Sequence, residues 1–223
     1  MSSSPRTALL AGATGLVGRE ILAGLLADPA VGAVHVLARR PLPSSHPKLA
    51  QQVVDFTRLP ALPRVDEVYL ALGTTIKVAG SQEAFRAVDH DAGLAVARGA
   101  RTAGATRLGL VSAMGASARS RVFYSRVKGE LEDAVQGLGC VGVVIARPSV
   151  LAGDRESLGQ PVRSGERLAL RVSTWLRPLV PADYRSIQAA DVAAALLAAV
   201  PRAAGVRVLP SGRMQRALSD ASD

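Results

Sequence analysis

The sequence has few cysteines, aromatic residues and lysines. Cys140 is the single cysteine, and aromatic residues make up only 3% of the chain. An intramolecular disulfide framework is therefore excluded, and a single-stranded nucleic acid would find few rings on which to stack. The three histidines are scattered without the spacing of metal ligands, so we expect no metal site.

Long apolar stretches are also missing. Residues 192–200 form the longest run, far short of the roughly 20 residues that span a bilayer. The first residues lack the apolar core of a secretory signal peptide. Hydrophobic residues still make up 48% of the 223 residues, which excludes a disordered chain. We therefore expect one cytoplasmic domain over residues 1–223, a monomer or homodimer that takes a small-molecule substrate and has no membrane partner.

The positive charge is spread along the chain. The net charge is +9, and nearly all the basic residues are arginines, with lysine only at Lys48, Lys77 and Lys128. Neither half of the chain carries a basic block, which favours a solvated surface over a binding face. We therefore expect no nucleic acid partner.

Short apolar runs alternate with helical patterns. The predicted strands are residues 8–11, 34–38, 52–54, 67–70, 107–111, 141–146 and 206–209, and the predicted helices are residues 16–26, 82–102, 124–136 and 191–200. Ser81 and Asp191 lie at or near two of the helix starts. Strands that are apolar throughout are typical of a parallel sheet covered on both faces. Prolines in residues 38–52 and 55–67 leave no room for full helices, so one face should be thinly covered there.

A glycine loop joins the first predicted strand to the first predicted helix. Its spacing is G-x-x-G-x-x-G, with Gly12 for the tight turn, Gly15 for close approach to a pyrophosphate and Gly18 for helix packing. The helix start adds free amides and a partial positive charge. The loop predicts dinucleotide binding, with a purely structural turn as the alternative. The contact residues predicted in it are Gly12, Thr14, Gly15, Leu16 and Val17.

The end of the second predicted strand distinguishes between cofactors. An NAD site usually places Asp or Glu there, whereas this strand is followed by Arg39 and Arg40. Either guanidinium would pair well with a 2′-phosphate. We therefore predict NADP, with NADPH preferred over NADH, although a solvated pair in an arginine-rich chain is the alternative.

A Tyr-x-x-x-Lys pair opens the third long helix. The spacing places Tyr124 and Lys128 on one helix face, one turn apart. The ammonium stabilises a phenolate, so Tyr124 can exchange a proton with a substrate oxygen, while Lys128 can also hold the nicotinamide ribose. Ser112 follows the preceding strand and would hydrogen-bond the reacting carbonyl. These three are the predicted catalytic residues, and Tyr124 and Lys128 are also predicted cofactor contacts, although a Tyr packed beside a Lys is a common structural feature.

Together these features resemble the short-chain dehydrogenase/reductase superfamily, specifically its small atypical branch. That branch contains bacterial NAD(P)-binding oxidoreductases and the human Tat-interacting short-chain reductase. The segments that carry the resemblance are GATGLVG (12–18), VVDF (53–56), LALGTT (70–75), AGSQEAFRAVDHD (79–91), VSAMGA (111–116), YSRVKGE (124–130) and RPSVLAGDRE (147–156). We expect an α/β, doubly wound Rossmann fold whose parallel sheet has the order 3-2-1-4-5-6-7, with helices on both faces.

The resemblance also implies cofactor contacts on other loops. Residues 55–56 would border the adenine, residues 72–74 would line the path to the nicotinamide, and residues 148–150 would face the carboxamide. On the residues alone, Asp55 is equally a turn-capping carboxylate and Pro148 a strand terminator. The residues so implied are Asp55, Phe56, Leu72, Gly73, Thr74, Pro148, Ser149 and Val150.

Two parts of the chain depart from the usual pattern. Many superfamily members place Asn in the helix of residues 82–102 to complete a proton relay, but this chain has Asp89 in that region and no Asn. The substrate-side segment, residues 152–186, is short and basic. It contains Arg155, Arg163, Arg167, Arg171, Arg177, Arg185 and the only tryptophan, Trp175. A solvated basic face or an anionic substrate would each account for these arginines.

The expected function is NADP-dependent carbonyl reduction or alcohol oxidation, an oxidoreductase of the EC 1.1.1 type. The alternative is an NADPH-binding regulator or scaffold with little or no turnover, which the missing relay Asn favours. Epimerase chemistry on a sugar nucleotide is a third possibility, but residues 152–186 are few for a nucleotide-sugar lobe.

Overall fold

A parallel sheet of seven strands organises the computed structural model, which describes residues 4–152 and 181–219. The strands are β1 (Arg6–Ala11), β2 (Val31–Ala38), β3 (Leu49–Val53), β4 (Glu67–Leu70), β5 (Arg107–Val111), β6 (Gly142–Arg147) and β9 (Gly205–Pro210), with β7 (Leu151–Ala152) and β8 (Ile187–Gln188) forming a small separate parallel pair. The sheet order is β3-β2-β1-β4-β5-β6-β9. The predicted order is confirmed, because β9 is the seventh strand of the prediction.

The helices lie on both faces of this sheet. They are α1 (Leu16–Ala27), α2 (Ile76–Ala79), α3 (Gln82–Arg86), α4 (Gly93–Thr102), α5 (Phe123–Gln136), α6 (Ala189–Ala199) and α7 (Ser211–Ser219). Side chains alternate along β1, so that Ala8 and Leu10 pack with α1 and α6 while Leu9 and Ala11 join the core under α4 and α5. The two-sided burial explains why the strand sequences are apolar throughout.

The helix predicted over residues 82–102 is interrupted in the middle. Ser81 caps its start, as expected, by accepting a hydrogen bond from the Ala84 amide at 3.1 Å. Between α3 and α4 the chain forms a π-helical turn, Ala87–Ala92. A single π turn inside a helix is often found at functional sites, and this one contains Asp89.

The two proline-rich crossovers contain no helix, as the sequence predicts. One consequence is an open groove of about 440 Å³ along the β2–β3 side of the sheet, lined in part by His35, Gln52 and Leu62. Burial lowers the pKa of His35.

The arginines of the substrate-side segment, apart from Arg185, lie outside the described residues, as does Trp175. Within the described residues, no helix is long and apolar enough to cross a membrane.

Candidate active site

The predicted site residues converge on the carboxyl edge of the sheet. Ala11 is aligned with Leu37 and Leu70, and Val111 is aligned with Ala146, so the loops after these strands start side by side. The chain reverses its direction of strand addition between β1 and β4. In open α/β sheets this is the position where ligands bind.

The backbone geometry requires glycine at two of the three glycine positions of the first loop and leaves space at the third. Gly12 has φ +98°, and a Cβ there would lie 2.3 Å from the Ala71 carbonyl oxygen. A Cβ on Gly18 would lie 1.9 Å from the Gly12 oxygen, so α1 packs directly on the loop. At Gly15 the nearest atom would be 3.5 Å away, an ordinary contact. The protein itself therefore requires glycine at 12 and 18, whereas Gly15 leaves space at the start of α1.

The start of α1 suits an anion. Gly15 is the N-cap residue, provides no side-chain hydrogen bond and is followed by no acidic residue in the first turn. Leu16 and Val17 are buried, so their side chains belong to the core, whereas Thr14 is exposed. Uncapped amides at a helix N-terminus favour a phosphate or pyrophosphate group. The residues present thus fit the pyrophosphate of a dinucleotide.

The adenine-side residues lie after β2 and β3. Arg39 and Arg40 are both exposed directly after β2. The Asp55 carboxylate accepts hydrogen bonds from the Thr57 amide at 2.9 Å and the Thr57 hydroxyl at 2.8 Å. These bonds hold the pKa of Asp55 below its usual range. Asp55 therefore caps a turn in this structure, and Phe56 packs partly buried against the core.

A buried ion pair lies beside the predicted catalytic tyrosine. Lys128 Nζ is 2.6 Å from Asp89 Oδ1, and the two side chains are 6% and 1% exposed. The Thr74 amide donates to Asp89 Oδ2 at 2.8 Å. The backbone of Gly73 lies close to this ion pair: a Cβ built on it would be 3.7 Å from Asp89 Oδ1 and 3.9 Å from Lys128 Nζ. The loop after β4, the π turn and α5 thus meet at one ammonium group.

Tyr124 lies one turn before this lysine. Its ring is half-buried and packs on Phe85, with centroids 5.5 Å apart. Phe85, which is fully buried, thereby fixes the start of α5. Among the hydrogen bonds of the described residues, none involves the Tyr124 hydroxyl, which leaves it able to bond a ligand oxygen.

Ser112 belongs to a second buried ion-pair network. Its hydroxyl donates to Glu132, whose carboxylate is 2% exposed and is held by the Arg147 guanidinium through Nε at 3.0 Å. The bond to Glu132 raises the pKa of Arg147. A serine has one hydroxyl proton, so in this arrangement Ser112 presents an acceptor, not a donor, to any further group.

The loop after β6 is tied to its neighbours by backbone bonds. The Met114 amide donates to the Pro148 carbonyl at 2.8 Å, and the Ser149 amide donates to the Ser211 hydroxyl at 2.7 Å. The Ser149 hydroxyl donates to the Arg185 carbonyl, and Val150 is exposed. The loops after β5 and β6 are therefore hydrogen-bonded to each other and form a continuous surface.

The sequence alone assigns no role to three residues of this site. It marks Asp89 only as standing in the region of the relay Asn, and no motif indicates Glu132 or Gly129. Glu132 lies four residues after Lys128, so the helix period carries the signal that it shares their face. A Cβ on Gly129 would lie 2.1 Å from the Ser117 carbonyl carbon, so α5 and the loop after β5 pack backbone to backbone.

Comparison with known proteins gives relatives and a fold. No protein-family model matches the chain. It is 39% identical over 157 residues to "Protein fmp52, mitochondrial" of Emericella nidulans, covering 66% of this chain and 67% of that protein. It is 32% identical over 212 residues to the Coccidioides immitis protein of that name, covering 86% of each.

The names of these relatives contradict the expected cytoplasmic location, because they place the proteins in mitochondria. That expectation depended on the missing apolar core of a signal peptide. Mitochondrial transit segments are amphipathic and lack such a core too, so the criterion does not separate the two compartments.

Solved structures share the fold at low sequence identity. A Burkholderia thailandensis oxidoreductase of the short chain dehydrogenase/reductase family superposes with TM-score 0.66 and 20% identity, over 99% of this chain and 98% of that one. A Burkholderia cenocepacia short chain dehydrogenase in complex with NADP gives 0.66 and 16%, over 100% and 95%. The Bordetella bronchiseptica enzyme WbmF, in complex with NAD+, gives 0.64 and 15%, over 97% and 78%. The expected fold is confirmed, whereas the similarity to the Tat-interacting reductase stays a prediction.

Proposed function

The chain belongs to the FMP52 family, and on that premise we propose that it is an NADP-dependent oxidoreductase of the short-chain dehydrogenase/reductase type, built as one domain. It transfers a hydride to or from a small carbonyl or alcohol compound, a reaction of the EC 1.1.1 type. The buried Lys128–Asp89 pair, one helical turn from a phenol at the ligand-binding edge, carries this proposal. Buried lysines are rare unless they are paired, and an ammonium held one helical turn from a phenol is suited to stabilise the phenolate.

The residues around α1 would hold the cofactor. Its uncapped first turn and the space at Gly15 fit a pyrophosphate. Arg39 and Arg40 would pair with a 2′-phosphate, which supports NADPH over NADH. The nicotinamide, when bound, supplies or accepts the hydride.

The protein's own part of the reaction is proton transfer and orientation. Tyr124 gives its hydroxyl proton to the substrate oxygen during reduction and takes it back during oxidation. Lys128 stabilises the phenolate, and Asp89 keeps the ammonium in position by a contact of 2.6 Å. Ser112 orients the substrate carbonyl, for which its hydroxyl must rotate away from Glu132.

Replacing Tyr124 by Phe tests this assignment. Tyr124→Phe should lower kcat by about 10²- to 10⁴-fold, the usual contribution of a general acid or base, while NADPH binding measured by fluorescence changes far less than kcat. Ser125→Ala, a change in the same helical turn, is the matched control and should retain activity. Equal turnover in Tyr124→Phe and in the unmodified protein would refute the assignment.

An NADPH-binding regulator with little or no turnover is the second candidate. Two observations favour it: Asp89 stands in the region of the relay Asn, and Ser112 directs its hydroxyl proton to Glu132. This candidate predicts tight NADPH binding with no oxidation of NADPH across panels of aldehydes, ketones and quinones. Turnover of any member of the panel that depends on Tyr124 excludes it.

A further inference from the structure

The exposed apolar side chains of the described residues are concentrated at the carboxyl edge of the sheet. Five of them lie on the loops that follow β4, β5 and β6, three neighbouring strands. We call these five the apolar rim: Ile76, Val78, Met114, Val122 and Val150. At the opposite edge, the starts of β6 and β9 expose only Val141 and Val206. The asymmetry places apolar surface where the candidate site is.

The rim is closely connected to the candidate catalytic residues. Met114 follows Ser112 by two positions, and Val122 precedes Tyr124 by two. The Met114 amide donates to the Pro148 carbonyl at 2.8 Å, which fastens the loop after β5 to the loop that bears Val150. Exposed apolar surface on connected loops around a reactive group marks a ligand-binding surface.

The same segments offer few hydrogen-bond acceptors to the hydroxyl protons of a hydrophilic ligand, and their charged side chains, Lys77, Arg119 and Arg121, can only donate. Residues 71–81, 112–122 and 148–152 contain no Asp or Glu. Most of their hydroxyl groups are already bonded within the protein. Thr75, Ser81, Ser117 and Ser120 accept bonds from backbone amides, Ser112 donates to Glu132, and Ser149 donates to a backbone carbonyl. The hydroxyl protons of a polyhydroxylated substrate would lose their hydrogen bonds to water here and regain few acceptors.

We propose that the substrate is a carbonyl or alcohol compound whose reacting carbon bears an apolar chain or ring, which lies against the apolar rim. This inference rests on the proposed oxidoreductase function and gives it a substrate class. It excludes nucleotide sugars and other polyhydroxylated compounds as the preferred substrates.

Binding of unreactive carbonyl compounds tests the proposal. Butanamide, octanamide and gluconamide carry an amide carbonyl that a hydride does not reduce, and their binding to the NADPH-saturated protein is measured by isothermal titration calorimetry. Octanamide has four more methylenes than butanamide, and each buried methylene raises affinity up to about fourfold. We expect octanamide to bind between about tenfold and about 200-fold tighter than butanamide, and gluconamide to bind least.

Matched variants locate the effect. Val122→Asp and Met114→Asp should remove most of the gain with chain length, whereas Val141→Asp and Val206→Asp, equally exposed at the opposite edge, should retain it. All four positions are exposed, so the folded protein tolerates the changes. NADPH is kept at a saturating concentration for each variant, because a carboxylate added near the site also repels the phosphates of the cofactor.

The outcomes separate the two proposals. If the unmodified protein does not bind NADPH, the proposed function itself fails. If NADPH binds but octanamide gains nothing over butanamide or gluconamide, or if the control variants lose as much as the rim variants, the substrate class alone is wrong.

Discussion

Replacing Asp89 by Asn would show how much the ion pair beside Tyr124 contributes to the fold. Asn has nearly the volume of Asp, and its carbonyl oxygen can still accept the 2.8 Å bond from the Thr74 amide. The change therefore leaves packing intact and removes only the negative charge that faces Lys128 at 2.6 Å. What remains is a buried ammonium without its partner.

The structure sets the size of the effect. Removing one member of a buried ion pair costs about 3–5 kcal/mol, because the other charge stays out of water. The side chains are 1% and 6% exposed, so the discount that applies to surface pairs does not apply. For a chain of this size 1 kcal/mol corresponds to about 2–4 °C, so Tm should fall by about 6–20 °C. Urea unfolding and thermal unfolding measure both quantities.

Two further variants isolate the charge. Asp91→Asn lies in the same π turn, but its side chain is 59% exposed, so it should change the free energy of unfolding by at most about 1 kcal/mol. Adding Lys128→Met to Asp89→Asn removes the unpaired charge and should restore part of the lost stability. If Asp89→Asn is no less stable than Asp91→Asn, or if Lys128→Met restores nothing, the pair does not act as described.

Three other predictions follow from the same structure. Gly18→Ala should lower the free energy of unfolding by about 1–3 kcal/mol or more, since its Cβ would lie 1.9 Å from a backbone oxygen. Gly15→Ala, where a Cβ has space, should leave the urea midpoint unchanged and weaken NADPH binding. Equal stability of the two variants would contradict this. Arg39→Ala should weaken NADPH binding at least about tenfold and leave NADH binding unchanged, and an unaltered NADPH affinity would remove the 2′-phosphate argument. Burial raises the pKa of Glu67, and Arg6 compensates this in part. The folded state therefore binds the Glu67 proton more tightly than the unfolded state does, and the free energy of unfolding falls as pH rises above about 4.3. Glu67→Gln should flatten that fall in urea unfolding between pH 4 and 7, and parallel pH profiles of the two proteins would refute the argument.

The central strands could be predicted from sequence because both of their faces are buried. Glu67–Leu70 and Arg107–Val111 have the bounds that the sequence predicts. The edge strand β3 begins at Leu49, three residues before the predicted start, because it is largely exposed and two glutamines interrupt its apolar pattern. The short helix α2 and the C-terminal helix α7 were not predicted, since four residues carry no helical period and α7 has a strongly polar sequence.

The site could be predicted as a set of residues but not as a set of contacts. Tyr124 and Lys128 are linked by the helix period, which a sequence displays directly. The contact between Asp89 and Lys128 joins residues that are 39 positions apart in the sequence. Asp89 lies in a π turn, which no local sequence pattern predicts. The proton of Ser112 was expected to point at a substrate, whereas the structure directs it to Glu132, because a buried carboxylate needs donors more than an open cleft does.

The position of α5 follows from these contacts together. Tyr124, Lys128 and Glu132 follow one another at intervals of four along a single face of the helix. The lysine is held from the π turn by Asp89, and the glutamate is held from β6 by Arg147. A rotation of α5 by one residue, about 100°, would break both ion pairs at once. The Lys128–Asp89 pair, which is buried on both sides, is worth about 3–5 kcal/mol when one partner is removed. Tyr124 lies on the same helix face, and its ring packs on the buried Phe85 with centroids 5.5 Å apart, so the position of the proposed general acid is fixed by the core of the protein rather than by any loop that a substrate must order.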